Sequence, residues 1–262
     1  MSAGPATSGP RPVALVTGAG RGIGRAAALA LAAQGLHVMG VARNQDELQA
    51  LGGEIGASWL VADLAEPAEC ARAVDETLQR LGRIDVLVNN AGAGSAGEQV
   101  VWRQDPAQWR RTMALNVDAP FELTRLVLPG MLERGSGRVV MVASLASLGA
   151  GVAPGMSAYA TSKHALLGLA RAVAIEVAGS GVTCNSVLPG SVRTATAERK
   201  VAAEAELAGS TIEEAWAARA DSTAGGRLLE AGEVAAVIAF LASDAASGVN
   251  GQAIPIALQA YG

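Results

Sequence analysis

The sequence predicts an α/β domain: a doubly wound parallel sheet of about seven strands with helices on both faces. Three observations carry this. Short apolar runs alternate along the whole chain with longer Ala- and Leu-rich stretches of helical pattern, as strand–helix–strand crossovers require. The apolar runs are continuous, as in strands buried on both faces. The chain has 262 residues, 50% of them hydrophobic and 17% charged, with no linker-like stretch and no repeat. That is enough apolar surface for one core and excludes disorder of the whole chain.

The first strand is Val13 to Thr17, followed by a helix from Gly22 to Gln34 that stops at Gly35, a residue suited to a helix C-terminus. Leu36 to Ala42 is the second strand, and Asn44 can cap a helix running through Leu51. Ser58 to Ala62 is the third strand, with a helix from Pro67 to Leu81, and Ile84 to Val88 is the fourth. Asp105-Pro106 opens a long helix that is expected to run to Pro129. Arg138 to Ala143 is the fifth strand, Ser157 to Ala178 a long helix, Val182 to Leu188 the sixth strand, Glu230 to Ser243 a helix and Gln252 to Ala257 the seventh strand. Arg193 to Gly226 is helical in pattern but too long for a simple crossover. An insertion after a strand's carboxyl end lies over the ligand crevice of such a sheet, so 193–226 is a candidate lid.

Composition narrows the function classes. Aromatics are 3%, against 56 Ala and 32 Gly, so the core packs through small side chains. A net charge of −4 argues against a nucleic-acid binder, which needs a concentrated basic surface. Cys70 and Cys184 are too few for a disulfide framework, and with only His37 and His164 no metal site is expected. Residues 1–11 read as a disordered tail without the apolar run of a signal peptide, which fits a reducing cytoplasmic compartment. The uncharged stretch from Val139 to Ser162 is long enough to cross a bilayer. Its Ser, Thr, Gly and Pro residues instead favour a buried strand, a loop and a helix start, and no membrane partner.

Three motifs carry chemistry. Thr17-Gly18-Ala19-Gly20-Arg21-Gly22-Ile23-Gly24 lies between the first strand and the first helix. Glycines there let the backbone approach a pyrophosphate, and the helix N-terminus offers it free N–H groups and a positive dipole end. Asn89-Asn90-Ala91-Gly92 follows the fourth strand, where it is either a second wall of that crevice or an ordinary turn. Tyr159 and Lys163 stand at i and i+4 on one helix face, so an ammonium beside the phenol would be expected to lower the Tyr159 pKa.

With these motifs in order, together with Asp63-Leu64, Asn116, Ser144 and Pro189-Gly190 with Thr194, the chain resembles the short-chain dehydrogenase/reductases from about Pro12 to Gly251. The resemblance implies a Rossmann-type sheet and a dinucleotide-binding catalytic domain over 12–262. It implies Tyr159 as general acid/base, Lys163 on the nicotinamide ribose, Ser144 on the substrate oxygen, and Asn116 positioning a water that links Lys163 to solvent. Gly18, Gly22, Ile23 and Gly24 would hold the pyrophosphate. Asp63 and Leu64 would meet the adenine, Asn90, Ala91 and Gly92 the adenosine side, and Pro189, Gly190, Val192 and Thr194 the nicotinamide. It also suggests a homotetramer formed through the long helices.

Two features depart from the family pattern. Ser144 lies 15 residues before Tyr159 where about thirteen is usual, and Ser147 lies 12 before it; Ser144 is preferred because it ends the fifth strand. The C-terminal Ile254-Pro255-Ile256-Ala257 replaces the Asp-Gly-Gly many relatives carry. For the cofactor, Ala42 stands where an acid would read a ribose 2′-hydroxyl, and Arg43 follows it, with Arg21 opposite. Both cations can pair with a 2′-phosphate, which favours NADP(H) and leaves NAD(H) possible. Gly94, Leu145, Val152, Met156, Ser191 and Trp216 are expected pocket walls, and they suit a neutral, apolar carbonyl or alcohol substrate. The reading is an NADPH-preferring oxidoreductase interconverting a ketone and a secondary alcohol. An NAD-linked alcohol dehydrogenase, a lyase or epimerase retaining its cofactor, and a non-catalytic dinucleotide sensor are the alternatives.

Overall fold

A computed structural model describes residues 11–94, 99–221, 223 and 225–258; the tail expected over 1–11 falls outside them except for Arg11. The strands are β1 (Val13–Thr17), β2 (His37–Ala42), β3 (Ser58–Val61), β4 (Val86–Asn89), β5 (Gly137–Val142), β6 (Val182–Pro189), β7 (Val192–Arg193), β8 (Leu229–Glu230) and β9 (Ala253–Ile256). The α-helices are α1 (Gly22–Ala33), α2 (Gln45–Ile55), α3 (Pro67–Leu81), α4 (Pro106–Met113), α5 (Ala119–Glu133), α6 (Ser157–Glu176), α7 (Ala195–Ala208), α8 (Ile212–Asp221) and α9 (Ala231–Leu241).

Seven strands form one sheet in the order β3-β2-β1-β4-β5-β6-β9, every pair parallel. One face packs on α3, α5 and α6 through Leu15, Met39, Leu87, Val139, Met141, Leu123, Met131 and Leu166. The other packs on α1, α2 and α9 through Val16, Val38, Val88, Leu31, Leu48, Leu51 and Ile238. Every residue of β1, β4, β5 and β6 is buried, which is why their sequences are continuous rather than alternating apolar runs. Small residues set the spacing: Ala27 and Ala28 of α1 are fully buried, and α1 packs against α9.

Local signals end the elements where expected. Asn44 accepts a hydrogen bond from the Glu47 amide and caps α2. Asp105 caps α4 with Pro106 at its first position. β1 and α3 have the expected bounds, and other strand and helix ends shift by at most four residues; α2 continues to Ile55 and β4 starts at Val86.

Two elements differ in kind. The single helix expected from Asp105 to Pro129 is three pieces: α4, a π-helical stretch Ala114–Asp118, and α5, which passes through Pro129 to Glu133. Pro129 lies on the exposed side while Val127 and Met131 are buried, so packing holds the next turn although the proline donates no hydrogen bond. The region over 193–226 is two helices, α7 and α8, and a two-stranded parallel ribbon of β7 and β8 closes the base of the excursion. Two-residue strands have no readable periodicity, which is why the sequence does not announce them.

Candidate active site

The sheet order reverses between β1 and β4, so the loops after these strands diverge and leave a crevice at their carboxyl ends. Side chains stitch the two loops together. The Thr17 hydroxyl oxygen accepts from the amides of Asn90 and Ala91, both at 2.9 Å. Asn90 Nδ2 donates to the Thr17 carbonyl at 2.8 Å. The Asn90 amide nitrogen is thereby committed to the glycine turn.

That turn is bare by necessity. Gly18 has φ +66, and a Cβ there would lie 2.7 Å from Asn90 Nδ2; a Cβ on Gly24 would collide with the Gly18 carbonyl. α1 begins behind it with Arg21 at its cap position and no side-chain cap bond. The Arg21 side chain therefore leaves the first-turn N–H groups uncapped, and a helix N-terminus of this kind can take a phosphate group. A nicotinamide dinucleotide fits this cradle.

The reactive cluster comes from β5, the π-helical stretch and α6. Ser144 follows β5, accepts from the Ala146 amide at 3.2 Å, and acts on the Tyr159 phenol to favour its ionised form. Ser147 is buried at 3% exposure with its hydroxyl unpartnered. Of the two serines weighed above, Ser144 is the one beside Tyr159. Lys163 is 5% exposed, donates to the Val142 carbonyl at 2.8 Å, and holds its Nζ 5.8 Å from the Tyr159 ring centroid. Burial pushes Lys163 down to about 8. Burial also pushes Tyr159 above its ordinary value, against the opposing hydrogen bond from Ser144. The expected lowering of Tyr159 by Lys163 is thus corrected for this state: the desolvation of the phenol outweighs the help it receives.

Asn116 lies on the π-helical stretch and is 1% exposed. Its Oδ1 accepts from the Ala93 amide at 2.9 Å, and its Nδ2 donates to the Ala93 carbonyl and to Ser162 Oγ. Ser162 in turn donates to the Tyr159 carbonyl at 2.7 Å. A Cβ on Gly92 would lie 3.3 Å from Asn116 Oδ1 and 3.4 Å from Lys163 Nζ, so both polar groups converge on that glycine. The sequence does not single out Ser162 as a link; its place between Tyr159 and Lys163 is the only signal that could.

The remaining candidates make the following contacts. Asp63 accepts from Arg111 at 2.6 Å and from the Ala65 amide. Burial acts against its charge, but these bonds and the charges of Arg111 and Arg43 hold its carboxyl below the usual range. The Leu64 side chain is core, and only its main chain is left for a ligand. Ile23 and Val192 pack on one core layer and Ala91 on the other. Pro189 ends β6, and the Gly190 amide donates to the Ile256 carbonyl. Thr194 caps α7, and its methyl lies 3.4 Å from where a Gly22 Cβ would be. The start of the 193–226 excursion therefore touches the glycine turn. Arg43 is exposed, Arg21 pairs with Glu47 at 3.6 Å, and Arg193 lies over the Trp216 ring at 5.3 Å. Among the described residues there is no cluster of potential metal ligands. No helix among them is long and apolar enough to cross a membrane.

Residues 12–205 match the family described as short chain dehydrogenase. The chain is 37% identical over 91% of its length to 2-keto-3-deoxy-L-fuconate dehydrogenase of Xanthomonas campestris pv. campestris, covering 76% of that protein. It is 36% identical over 94% of its length to granaticin polyketide synthase putative ketoacyl reductase 1 of Streptomyces violaceoruber, covering 92% of it. A crystal structure of a variant actinorhodin polyketide ketoreductase with NADPH superposes with a TM-score of 0.89 at 33% identity, covering 96% of this chain and 98% of that one. The chain belongs to the short-chain dehydrogenase family. It is an NAD(P)-dependent oxidoreductase acting on the CH–OH group of alcohols and the corresponding ketones.

Proposed function

We propose that the protein is an NADPH-preferring ketoreductase in which Tyr159 protonates the substrate oxygen. The observation that carries this reading is the meeting of Ser144, Tyr159 and Lys163, with Lys163 Nζ close to Gly92 in the loop that is bonded to the glycine turn. When bound, the cofactor supplies the hydride. Ser144 and Tyr159 address the carbonyl oxygen together, two donors already aimed where negative charge develops. A phenol held above its ordinary pKa keeps its proton until that oxygen can take it. Lys163, near 8 in the free protein, holds the nicotinamide ribose hydroxyls. Asn116 and Lys163 flank Gly92 and hold the water through which the proton is restored.

Gly18, Gly22, Ile23 and Gly24 bind the pyrophosphate through main-chain N–H groups. Asp63, Leu64, Asn90, Ala91 and Gly92 surround the adenosine, and Pro189, Gly190, Val192 and Thr194 the nicotinamide. Arg21 and Arg43 favour a 2′-phosphate, and the NADPH-bound ketoreductase of the same fold supports that choice. A neutral, apolar ketone suits the walls at Leu145, Val152 and Met156, with 193–226 as a lid carrying Trp216. The working form is a homotetramer in the cytoplasm. An NAD-linked dehydrogenase is the second reading, favoured by the Glu47 carboxylate paired with Arg21. The experiment is kcat/KM with NADPH and NADH for the parent and Arg43→Asp. NADPH should be preferred by the parent, and the variant should reverse the ratio. A parent favouring NADH would overturn the cofactor assignment.

A further inference from the structure

The two cations facing the cofactor's 2′ position are not equally available. Arg43 is exposed and shares its field with Asp63, whose carboxyl it helps to keep ionised. Arg21 is paired: its Nη1 stands 3.6 Å from Glu47 Oε1, both side chains about a third exposed. Glu47 is fixed in place by its own helix, since its amide donates to Asn44 Oδ1 in the first turn of α2. Its other carboxylate oxygen reaches over the glycine turn. A Cβ on Gly20 would lie 2.7 Å from Glu47 Oε2 and 2.9 Å from Glu47 Cβ. The absence of a side chain at Gly20 is what admits the acid to this position. A carboxylate therefore stands against the glycine turn, within reach of Arg21.

We infer that Glu47 is a specificity-determining residue, which competes with the 2′-phosphate of adenosine nucleotides for Arg21 and thereby moderates the preference for NADP(H). The inference rests on the reading of this crevice as the cofactor's adenosine site. The physical basis is charge competition. Binding a 2′-phosphate on Arg21 requires the guanidinium to leave Glu47, and the remaining carboxylate repels the incoming dianion. A nucleotide without that phosphate meets neither cost. The pair is partly exposed, so the effect is modest and is reduced by salt.

The test is calorimetric titration of the nucleotide-free protein with adenosine 2′,5′-bisphosphate and with adenosine 5′-monophosphate, at low ionic strength. The proteins are the parent, Glu47→Gln, Arg21→Gln and the double variant. Glu47→Gln should bind the bisphosphate roughly three- to fivefold more tightly, with the monophosphate changed by less than about twofold. The gain should shrink in the Arg21→Gln background, where only the direct repulsion of the phosphate by Glu47 is left to remove. The inference is overturned if Glu47→Gln binds the bisphosphate no more tightly, if both nucleotides gain equally, or if the gain is undiminished without Arg21. A parent that binds the two nucleotides equally would remove the NADPH preference. Glu47 would then still stand or fall on whether Glu47→Gln creates that preference.

Discussion

Lys163 is one of two lysines in the chain, and it is buried with its Nζ 5.8 Å from the Tyr159 ring centroid. Its pKa of about 8 makes stability depend on pH. Below pH 8 both folded and unfolded chains hold this proton. Between about 8 and 10.4 the unfolded chain keeps a proton that the folded chain has released, so this residue makes stability rise with pH there. Cys70 and Cys184, pushed up to about 11 and about 12 by burial, act oppositely above about pH 8.5, where the unfolded thiols ionise first. The Lys163 contribution is therefore the difference in urea-unfolding free energy between parent and Lys163→Met. That difference should grow in the parent's favour from pH 8 to 10.4, by on the order of 3 kcal/mol; a flat difference would show that the lysine is not depressed. The two serines give a second prediction. Ser144→Ala removes the donor beside Tyr159 and should slow turnover by about 10²-fold. Ser147→Ala removes only an unpartnered buried hydroxyl and should leave turnover near normal, with stability equal or slightly higher. Steady-state kinetics on the pair decides it, and reversed results would exchange their roles. The position of Ser144 shortly after β5 was legible from the apolar run that precedes it. The direction of the Tyr159 shift was not, because it depends on how much of the phenol is desolvated. That Asp46 and Glu47 lie close enough to soften the field of Arg21 and Arg43 was legible in the sequence, but the Arg21–Glu47 pair itself was not, because it depends on a missing Cβ at Gly20.

Most helices and strands followed from apolar periodicity and caps, because their buried faces are built by local spacing. The π-helical stretch Ala114–Asp118 did not, since Leu115 and Val117 continue an ordinary helical pattern around Asn116. Its wider turn is fixed by tertiary bonds, from Asn116 to both main-chain groups of Ala93 and to Ser162. Such π turns concentrate where a side chain must be aimed at a functional site. Asn116→Ala should therefore cost roughly 1–3 kcal/mol, because the Ala93 amide loses its partner and Ser162 loses a donor. It should also loosen the loop that carries Gly92 and lower kcat. Chemical denaturation with parallel kinetics checks both, and an unchanged midpoint would show that the clamp does not hold the turn. The ribbon of β7 and β8 was likewise invisible to periodicity, although it anchors the base of the 193–226 excursion.

For the molecule as a whole, the class of sheet was legible, and its strand order places the crevice where β1 and β4 diverge. Assembly is less directly encoded. Phe121, Arg125 and Leu132 form an exposed stripe on α5, and His164, Gly168 and Ile175 one on α6. Nothing lies within 4 Å of a Cβ placed on Gly168, so another helix can approach closely there. Light scattering at micromolar concentration should give a tetrameric mass, and a monomeric mass would contradict the assembly. The central claim concerns chemistry at Tyr159, and one measurement reaches it most directly: NADPH consumption, followed at about 340 nm, with a panel of neutral, apolar ketones for the parent and Tyr159→Phe. The parent should reduce at least one ketone, and the variant should bind NADPH as the parent does while turning over roughly 10²-fold more slowly or worse. Near-normal turnover by Tyr159→Phe would contradict the account.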